Sequence, residues 1–250
     1  MLELDPSLVE YALLFLGGLV AGALNVLAGG GSFLTLPILI FLGLPATMAN
    51  GTNRVGILLQ NVAATTSFQR ERVLEWKFTL RMAIPAVLGA GCGTVVALNT
   101  GEASFRRILA TLMIVITLWT LWDPAGRLKN RKPASPALMA AGFFLVGMYG
   151  GFVQAGVGFL ILALTTLAGF DLVRGNGIKV LMVLLFTIVS LVIFAWNGQV
   201  AWSLGLVLAA GTILGGLAGA RLTILKGHGW VRGVVTVAVI IMAIRLWATS

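Results

Sequence analysis

The sequence predicts an all-α integral membrane protein built from two inverted repeats, each with five hydrophobic segments. Three observations predict this fold class: the composition, a series of apolar runs, and a constant offset between the two halves. Hydrophobic residues make up 59% of the 250 residues and charged residues only 10%, against about 25% charged in a soluble domain. The length accommodates about ten membrane-crossing segments of ~20 residues. No room is left for a sizeable soluble domain.

About ten apolar runs follow one another, and one polar connector divides them into two groups. The runs are Leu8–Ala28, Phe33–Leu44, Val55–Phe68, Phe78–Leu98, Ile108–Trp122, Ala137–Val153, Phe159–Phe170, Val180–Trp196, Val200–Ala220 and Val231–Trp247. We therefore predict a first membrane repeat over residues 1–122, a cytoplasmic connector over 123–136 and a second membrane repeat over 137–250, forming one transmembrane domain.

Two of the runs are too short to cross a bilayer. Phe33–Leu44 and Phe159–Phe170 have twelve residues each, and a helix of that length covers ~18 Å of the ~30 Å of hydrocarbon. Each follows a glycine-rich break, at 28–32 and 154–158. We predict that both short helices begin inside the membrane.

The two halves repeat at a shift of 126 positions without a gap. Uncommon residues coincide at this shift, including Asn50 with Asn176, Trp76 with Trp202, and several glycines such as Gly30 with Gly156. Pairs of Asn, Trp and Gly carry more information here than matches between apolar residues do. The offset predicts two copies of one structural unit.

The charges predict that the second copy is inverted, with the N-terminus outside. Five segments per half is an odd number, so the second copy enters the membrane in the opposite direction. Loop 69–81 holds four basic residues and its counterpart around 197–202 holds none. With the N-terminus outside, 13 of the 17 basic residues fall on the cytoplasmic side, as the positive-inside rule requires. Arg54 is an exception and lies toward the outside.

The composition also excludes several classes of function. The net charge of +9 is explained by cytoplasmic loops that face anionic lipid, so the bilayer, and not nucleic acid, is the predicted partner. No acidic residue lies deep in an apolar run, and the single histidine, His228, lies in a basic loop. Neither a catalytic cluster nor a metal or cofactor motif is visible. We predict a protein that is not an enzyme and has no cofactor.

The glycine-rich breaks are the first candidate site. Helix N-termini carry free N–H groups and a positive dipole, so two helices that begin inside the membrane would bind an anion there. Glycine lets the anion approach the backbone, and serine or glutamine adds donors. The candidate residues are Gly29, Gly30, Gly31, Ser32, Gln154, Gly156 and Gly158. The alternative is that these glycines only allow close helix packing.

Two polar loops that open long helices form the second candidate site. They contain Asn50, Thr52, Asn53 and Arg54 in the first half, and Asn176 and Lys179 in the second. An arginine binds an oxyanion through two N–H groups. The alternatives are that the asparagines cap helices and that Lys179 is simply a cytoplasmic residue. Gln60 and Asn61, which lie within an apolar run, are predicted to face a central cavity.

The chain resembles the sulfite exporter TauE/SafE family of membrane permeases over essentially its whole length. The resemblance is carried by Gly17-Gly18 to Gly22, by the run from Ala28 through Gly29-Gly30-Gly31 to Leu34, by Leu36-Pro37 and by Gly43-Leu44. The second copy, from Gly147 to Gly158 with Phe159-Leu160, is similar, although Val157 replaces the third glycine and no proline follows. The resemblance implies a multi-pass permease of the bacterial inner membrane for sulfite, sulfonates or other sulfur-containing anions.

The main hypothesis is a secondary transporter that exports such anions by alternating access between the two inverted repeats. A passive anion channel with the same architecture is the alternative, and an intramembrane enzyme or scaffold is a weaker one. The choice of anion, the coupling ion and the oligomeric state stay open at this point.

Overall fold

The computed structural model describes residues 7–28, 30–121 and 134–226. Nine helices and no strand occupy these residues. They are α1 (Leu8–Ala28), α2 (Ser32–Phe41), α3 (Ala46–Arg70), α4 (Trp76–Leu98), α5 (Glu102–Leu121), α6 (Pro136–Phe152), α7 (Val157–Leu167), α8 (Leu172–Trp196) and α9 (Trp202–Lys226). Gly29, most of the connector and the predicted segment Val231–Trp247 lie outside the described residues.

The helix bounds recur at the shift found in the sequence. The first residues of α3 and α8 are 172 − 46 = 126 positions apart, and their last residues are 196 − 70 = 126 apart. Helices α4 and α9 also begin 126 positions apart, at Trp76 and Trp202. The short helices α2 and α7 are both followed by a glycine with positive φ, Gly43 at 91° and Gly169 at 89°.

One prediction about local structure is wrong. The segments 50–54 and 176–179 are not loops, because both lie within helices, and α3 begins nine residues before the predicted apolar run. The residues at the N-caps are Pro45 and Asp171, so neither asparagine is a cap. Polar residues stay helical here because the helix satisfies their backbone groups inside the bundle.

Two pairs of helices cross with their backbones in contact. Helix α1 packs against α9, and α4 packs against α6. Gly215 lies against the backbone of Leu19 in the first crossing, and Gly89 lies against that of Phe144 in the second. A side chain at either glycine would overlap a carbonyl oxygen. Small residues at such crossings allow the close approach that drives helix association in membranes.

Helices α3 and α8 occupy the centre of the bundle and run antiparallel. Gly51, near the start of α3, faces Phe194 near the end of α8. Gly177, near the start of α8, faces the Val73 carbonyl just beyond the end of α3. The two equivalent helices therefore point in opposite directions.

The outer surface of the bundle is apolar. Leu13 and Leu16 on α1 and Ile84 and Leu88 on α4 are each more than half exposed. Among the described helices, three have a segment long and apolar enough to cross a membrane, within Leu8–Asn25, Trp76–Leu98 and Leu172–Trp196. Four shorter apolar helices accompany them. Such a surface is stable in hydrocarbon and unfavourable in water.

Candidate functional site

The two glycine-rich breaks meet at the centre of the molecule. A Cβ added at Gly30, before α2, would lie 3.2 Å from the Phe159 ring of α7. Conversely, a side chain at Gly156, before α7, would overlap the Phe33 ring of α2. Gly156 also has φ 71°, which favours glycine. The starts of α2 and α7 are thus brought together, and whether they bind an anion stays a prediction.

Arg54, the ninth residue of α3, is fully buried beside the second break. Its Nη1 donates to the Gln154 side-chain oxygen at 2.8 Å. Its Nη2 donates to the carbonyl oxygens of Gly150 at 3.0 Å and Gly151 at 2.6 Å, in the last turn of α6. The guanidinium carbon lies 4.9 Å from the centre of the Phe194 ring, a cation–π distance.

The positive charge of Arg54 has no carboxylate partner among the described residues. The ion pairs in that part of the chain involve only Arg106 and Arg174 as cations. Partial negative charge at the C-terminal carbonyls of α6 stabilises the guanidinium. Its Nε and the neighbouring Asn53 Nδ2 are buried donors without a hydrogen-bond acceptor. One N–H group of the cation itself and one amide nitrogen of the preceding residue are therefore without an acceptor among the described residues.

Gln154 connects the arginine to the central helix of the second half. Its backbone is left-handed, with φ 64°, and its side chain is buried. While its oxygen accepts from Arg54, its Nε2 donates to the Thr187 hydroxyl on α8 at 2.6 Å. The left-handed backbone at Gln154 thus places its side-chain amide between α3 and α8.

Two further hydroxyl groups, which the sequence analysis did not select, extend this polar network. The Thr94 hydroxyl of α4 lies 2.9 Å from the Ser190 hydroxyl of α8 and 3.2 Å from the Gly151 carbonyl oxygen that also accepts from Arg54. Thr94, Thr187 and Ser190 are all fully buried. Isolated hydroxyls in apolar helices are a weak sequence signal, because they often bond to their own helix.

Three other predicted residues fasten the start of α3 to its neighbours. Asn50 Nδ2 donates to the Phe152 carbonyl at 2.7 Å. The Thr52 hydroxyl accepts from the Ala201 backbone N–H at 2.9 Å. Asn53 accepts from the Thr35 hydroxyl of α2 at 2.6 Å. These contacts hold α3 against the end of α6, the start of α9 and the middle of α2.

Gln60 and Asn61 are buried, and their side-chain hydrogen bonds go to residues other than Arg54. Gln60 Nε2 donates to the Gly22 carbonyl at 3.1 Å, and its oxygen accepts from Asn25 Nδ2 at 3.0 Å. Asn61 donates to the Ile57 carbonyl of its own helix at 2.7 Å. Gln60 therefore connects α3 to α1 through hydrogen bonds, whereas the Asn61 amide bonds within its own helix.

The remaining predicted residues fall into two groups. Ser32, Gly31 and Gly158 are buried at the starts of α2 and α7. Asn176 is half-buried and donates to the Leu172 carbonyl of its own helix at 3.0 Å. Lys179 is buried and makes no hydrogen bond or ion pair with any other described residue.

The two central helices are capped by carboxylates from different places in the chain. Both oxygens of Glu102, at the start of α5, accept from the Ala46 backbone N–H at 2.7 and 2.9 Å. The two residues are 56 positions apart in the chain, so the sequence analysis did not predict this contact. Asp171 caps α8 locally by accepting from the backbone N–H groups of Arg174 and Val173. Chiefly the bond from Arg174 lowers the pKa of the Asp171 carboxyl.

Comparisons with known proteins agree on one class. The family described as Sulfite exporter TauE/SafE matches residues 14–246. A probable membrane transporter protein of Haemophilus influenzae is 31% identical over 246 residues, which are 97% of this chain and 96% of that protein. The probable membrane transporter protein YfcA of Escherichia coli K12 is 30% identical over 241 residues, covering 93% and 88%. No solved structure matches the chain.

Proposed function

The chain belongs to the sulfite exporter TauE/SafE family of membrane transporters, and we propose that it is a secondary carrier of small sulfur-containing anions such as sulfite or organosulfonates. The direction that we propose is export across the bacterial inner membrane. The partners are then the small anion and the lipid bilayer.

The buried guanidinium of Arg54 is the observation that carries the proposal. A buried cation without a carboxylate is unfavourable unless another charge compensates it. Arg54 Nε and Asn53 Nδ2, on consecutive residues of α3, are both buried donors without acceptors. A guanidinium N–H group binds an oxyanion well, and Asn53 would add a second donor if the anion reached it. The negative charge of the anion would also balance that of the arginine.

The breaks before α2 and α7 would supply the rest of this site. Gly30 and Gly156 leave the backbone without side chains where the two short helices begin, and Ser32 adds a hydroxyl in the first turn of α2. The helix dipoles there favour negative charge. In the present conformation the Phe33 and Phe159 rings cover these ends. Movement of one repeat relative to the other would uncover them.

We propose that alternating access results from inverted repeats, with the first repeat over residues 1–122 and the second over 137–250. The antiparallel packing of α3 and α8, and the recurrence of their bounds at 126 positions, support this arrangement. Transporters built from inverted repeats expose a central site to each side in turn. The charge distribution supports an outside N-terminus, with Arg54 toward the outer side.

Transport in vesicles tests the proposal. Purified protein reconstituted into liposomes is expected to give saturable flux of sulfite or of a sulfonate such as taurine or sulfoacetate, with chloride as the competing control. Slow saturable turnover distinguishes a carrier from the alternative passive channel, which would give single-channel conductance. Absence of both flux and binding for sulfite, thiosulfate, sulfate and the sulfonates would refute the proposal.

A further inference from the structure

Lys179 is a second buried cation, and the network around Arg54 does not include it. It is the eighth residue of α8 and only 6% exposed. Its neighbours along the buried face of the helix include Met182 and Val183, which belong to an apolar cluster. The described residues offer its ammonium group neither a hydrogen bond nor an ion pair. An ammonium in that setting lacks a counter-charge.

The acidic residues at this end of α8 are already paired with another cation. Glu75 accepts from Arg174 at 2.9 Å, and the second oxygen of Asp171 lies 3.7 Å from the same guanidinium. Both acidic side chains are partly exposed at the surface. Lys179 is therefore not the buried half of a structural ion pair with either of them.

Lys179 lies far from Arg54 along the membrane normal. The Arg54 guanidinium is 4.9 Å from the Phe194 ring, and Lys179 precedes Phe194 by 194 − 179 = 15 residues on the same continuous helix. Fifteen residues of α-helix rise about 22 Å. Gln154 also links Arg54 to Thr187, which follows Lys179 by 187 − 179 = 8 residues, a rise of about 12 Å. The guanidinium therefore lies about 12–22 Å from the level of Lys179 along α8, toward the other end of that helix.

The repeat gives Lys179 a counterpart beside Arg54. At the shift of 126 positions Lys179 corresponds to Asn53, whose Nδ2 is a buried donor without an acceptor. Equivalent positions on two antiparallel helices therefore both present N–H donors that no described residue satisfies. In the first half this donor adjoins the arginine, and in the second half the donor is itself the cation.

We propose that Lys179 forms a second anion-binding site near the cytoplasmic end of α8, separate from the Arg54 site near the outer end of α3. The inference rests on the proposed transport of small oxyanions. The anion would bind Lys179 when the carrier is open to the cytoplasm and Arg54 when it is open to the outside. A lysine is a compact charge without the fixed fork of a guanidinium, so this site selects by charge and size.

Sulfite uptake by right-side-out and inside-out membrane vesicles tests this assignment. The apparent KM is measured at each face for the wild type and for Lys179→Met and Lys179→Gln, with protein melting to verify folding. Both variants are expected to raise KM at the cytoplasmic face at least tenfold and to leave KM at the outer face within twofold. Lys179→Arg is expected to return the cytoplasmic KM toward the wild-type value.

Arg174→Gln is the matched control, since it removes an exposed cation from the same end of α8. It is expected to leave KM at both faces unchanged. The second site is refuted if the Lys179 variants leave both KM values unchanged or raise both equally, or if Arg174→Gln reproduces their effect through surface charge. Failure of the wild type to give saturable sulfite flux at either face would instead refute the proposed function.

Discussion

The starts of α3 and α8 occupy equivalent places in the two halves, yet a buried cation near the start of each helix has different surroundings. Arg54 is held by three hydrogen bonds and an aromatic ring. Lys179 has no such partner among the described residues. The two helices share their length and their relation to the bundle, so the difference does not come from the fold. The helix bounds recur at 126 positions, while the polar side chains at the starts of the two helices differ.

Exchanging each cation for methionine should show this difference most strongly. Arg54→Met leaves the Gly150 carbonyl and the Gln154 side-chain oxygen without a donor, and the Gly151 carbonyl with the Thr94 hydroxyl alone, so the free energy of unfolding should fall by about 3 kcal/mol or more. Lys179→Met removes a buried charge and breaks no bond within the described structure. Its stability should be unchanged or higher, by about 1 kcal/mol. Thermal unfolding in detergent measures both. Equal losses would mean that Lys179 has a structural partner.

The two helix crossings, each formed by one helix from either half of the chain, should behave alike. Gly89→Ala and Gly215→Ala place a methyl group against the carbonyls of Phe144 and Leu19, so each should cost about 1–3 kcal/mol. Gly91→Ala, on the same helix as Gly89, meets nothing within 4 Å. It should be neutral or stabilising, by up to about 1 kcal/mol, since alanine favours the helix. If only one crossing glycine proves sensitive, the two crossings are not equivalent.

The smallest expected effect concerns the amide that only the second half has. Gln154→Ala removes the partner of Arg54 Nη1 and of the Thr187 hydroxyl, at a cost of about 1–2 kcal/mol. Thr187→Ala removes one of these bonds and should cost less. The equivalent residue in the first half is Ala28. Melting of the two variants and their double mutant should show less than additive loss. Full additivity would indicate that the bond between Gln154 and Thr187 contributes nothing.

The sequence predicted the apolar parts of the fold well. The run Leu8–Ala28 has the bounds of α1, because composition alone determines which stretch is stable in hydrocarbon. The short helices and the repeat offset were also visible. The start of α3 was missed, because hydropathy treats the polar segment 50–54 as a break. Asn50 and Arg54 in this segment donate to residues about 100 positions away, which a local pattern does not contain.

The candidate site was predicted as a set of residues but not as a set of contacts. Arg54 and Gln154 were each selected from the sequence, and the structure joins them at 2.8 Å. Thr94 and Ser190 were not selected. Thr94 also donates to the Ala90 carbonyl of its own helix, and in sequence a hydroxyl with a further contact to another helix looks the same as one without it. Gln60 was also selected, and in the structure it bonds to the Gly22 carbonyl of α1. Whether a polar side chain reaches the Arg54 network depends on the direction in which it points within the folded bundle, and the sequence does not give that direction.

The central claim is that Arg54 binds the transported anion, and ligand-induced stabilisation tests it most directly. Protein in detergent is melted in sulfite and in chloride at equal ionic strength. At about 100 times Kd, sulfite should stabilise the wild type by about 2.7 kcal/mol, which is a rise in Tm of roughly 5 °C or more. Gly89→Ala, a destabilised control with an intact site, should keep this rise, and Arg54→Met should lose it. An equal rise in Arg54→Met, or none in the wild type, would contradict the account.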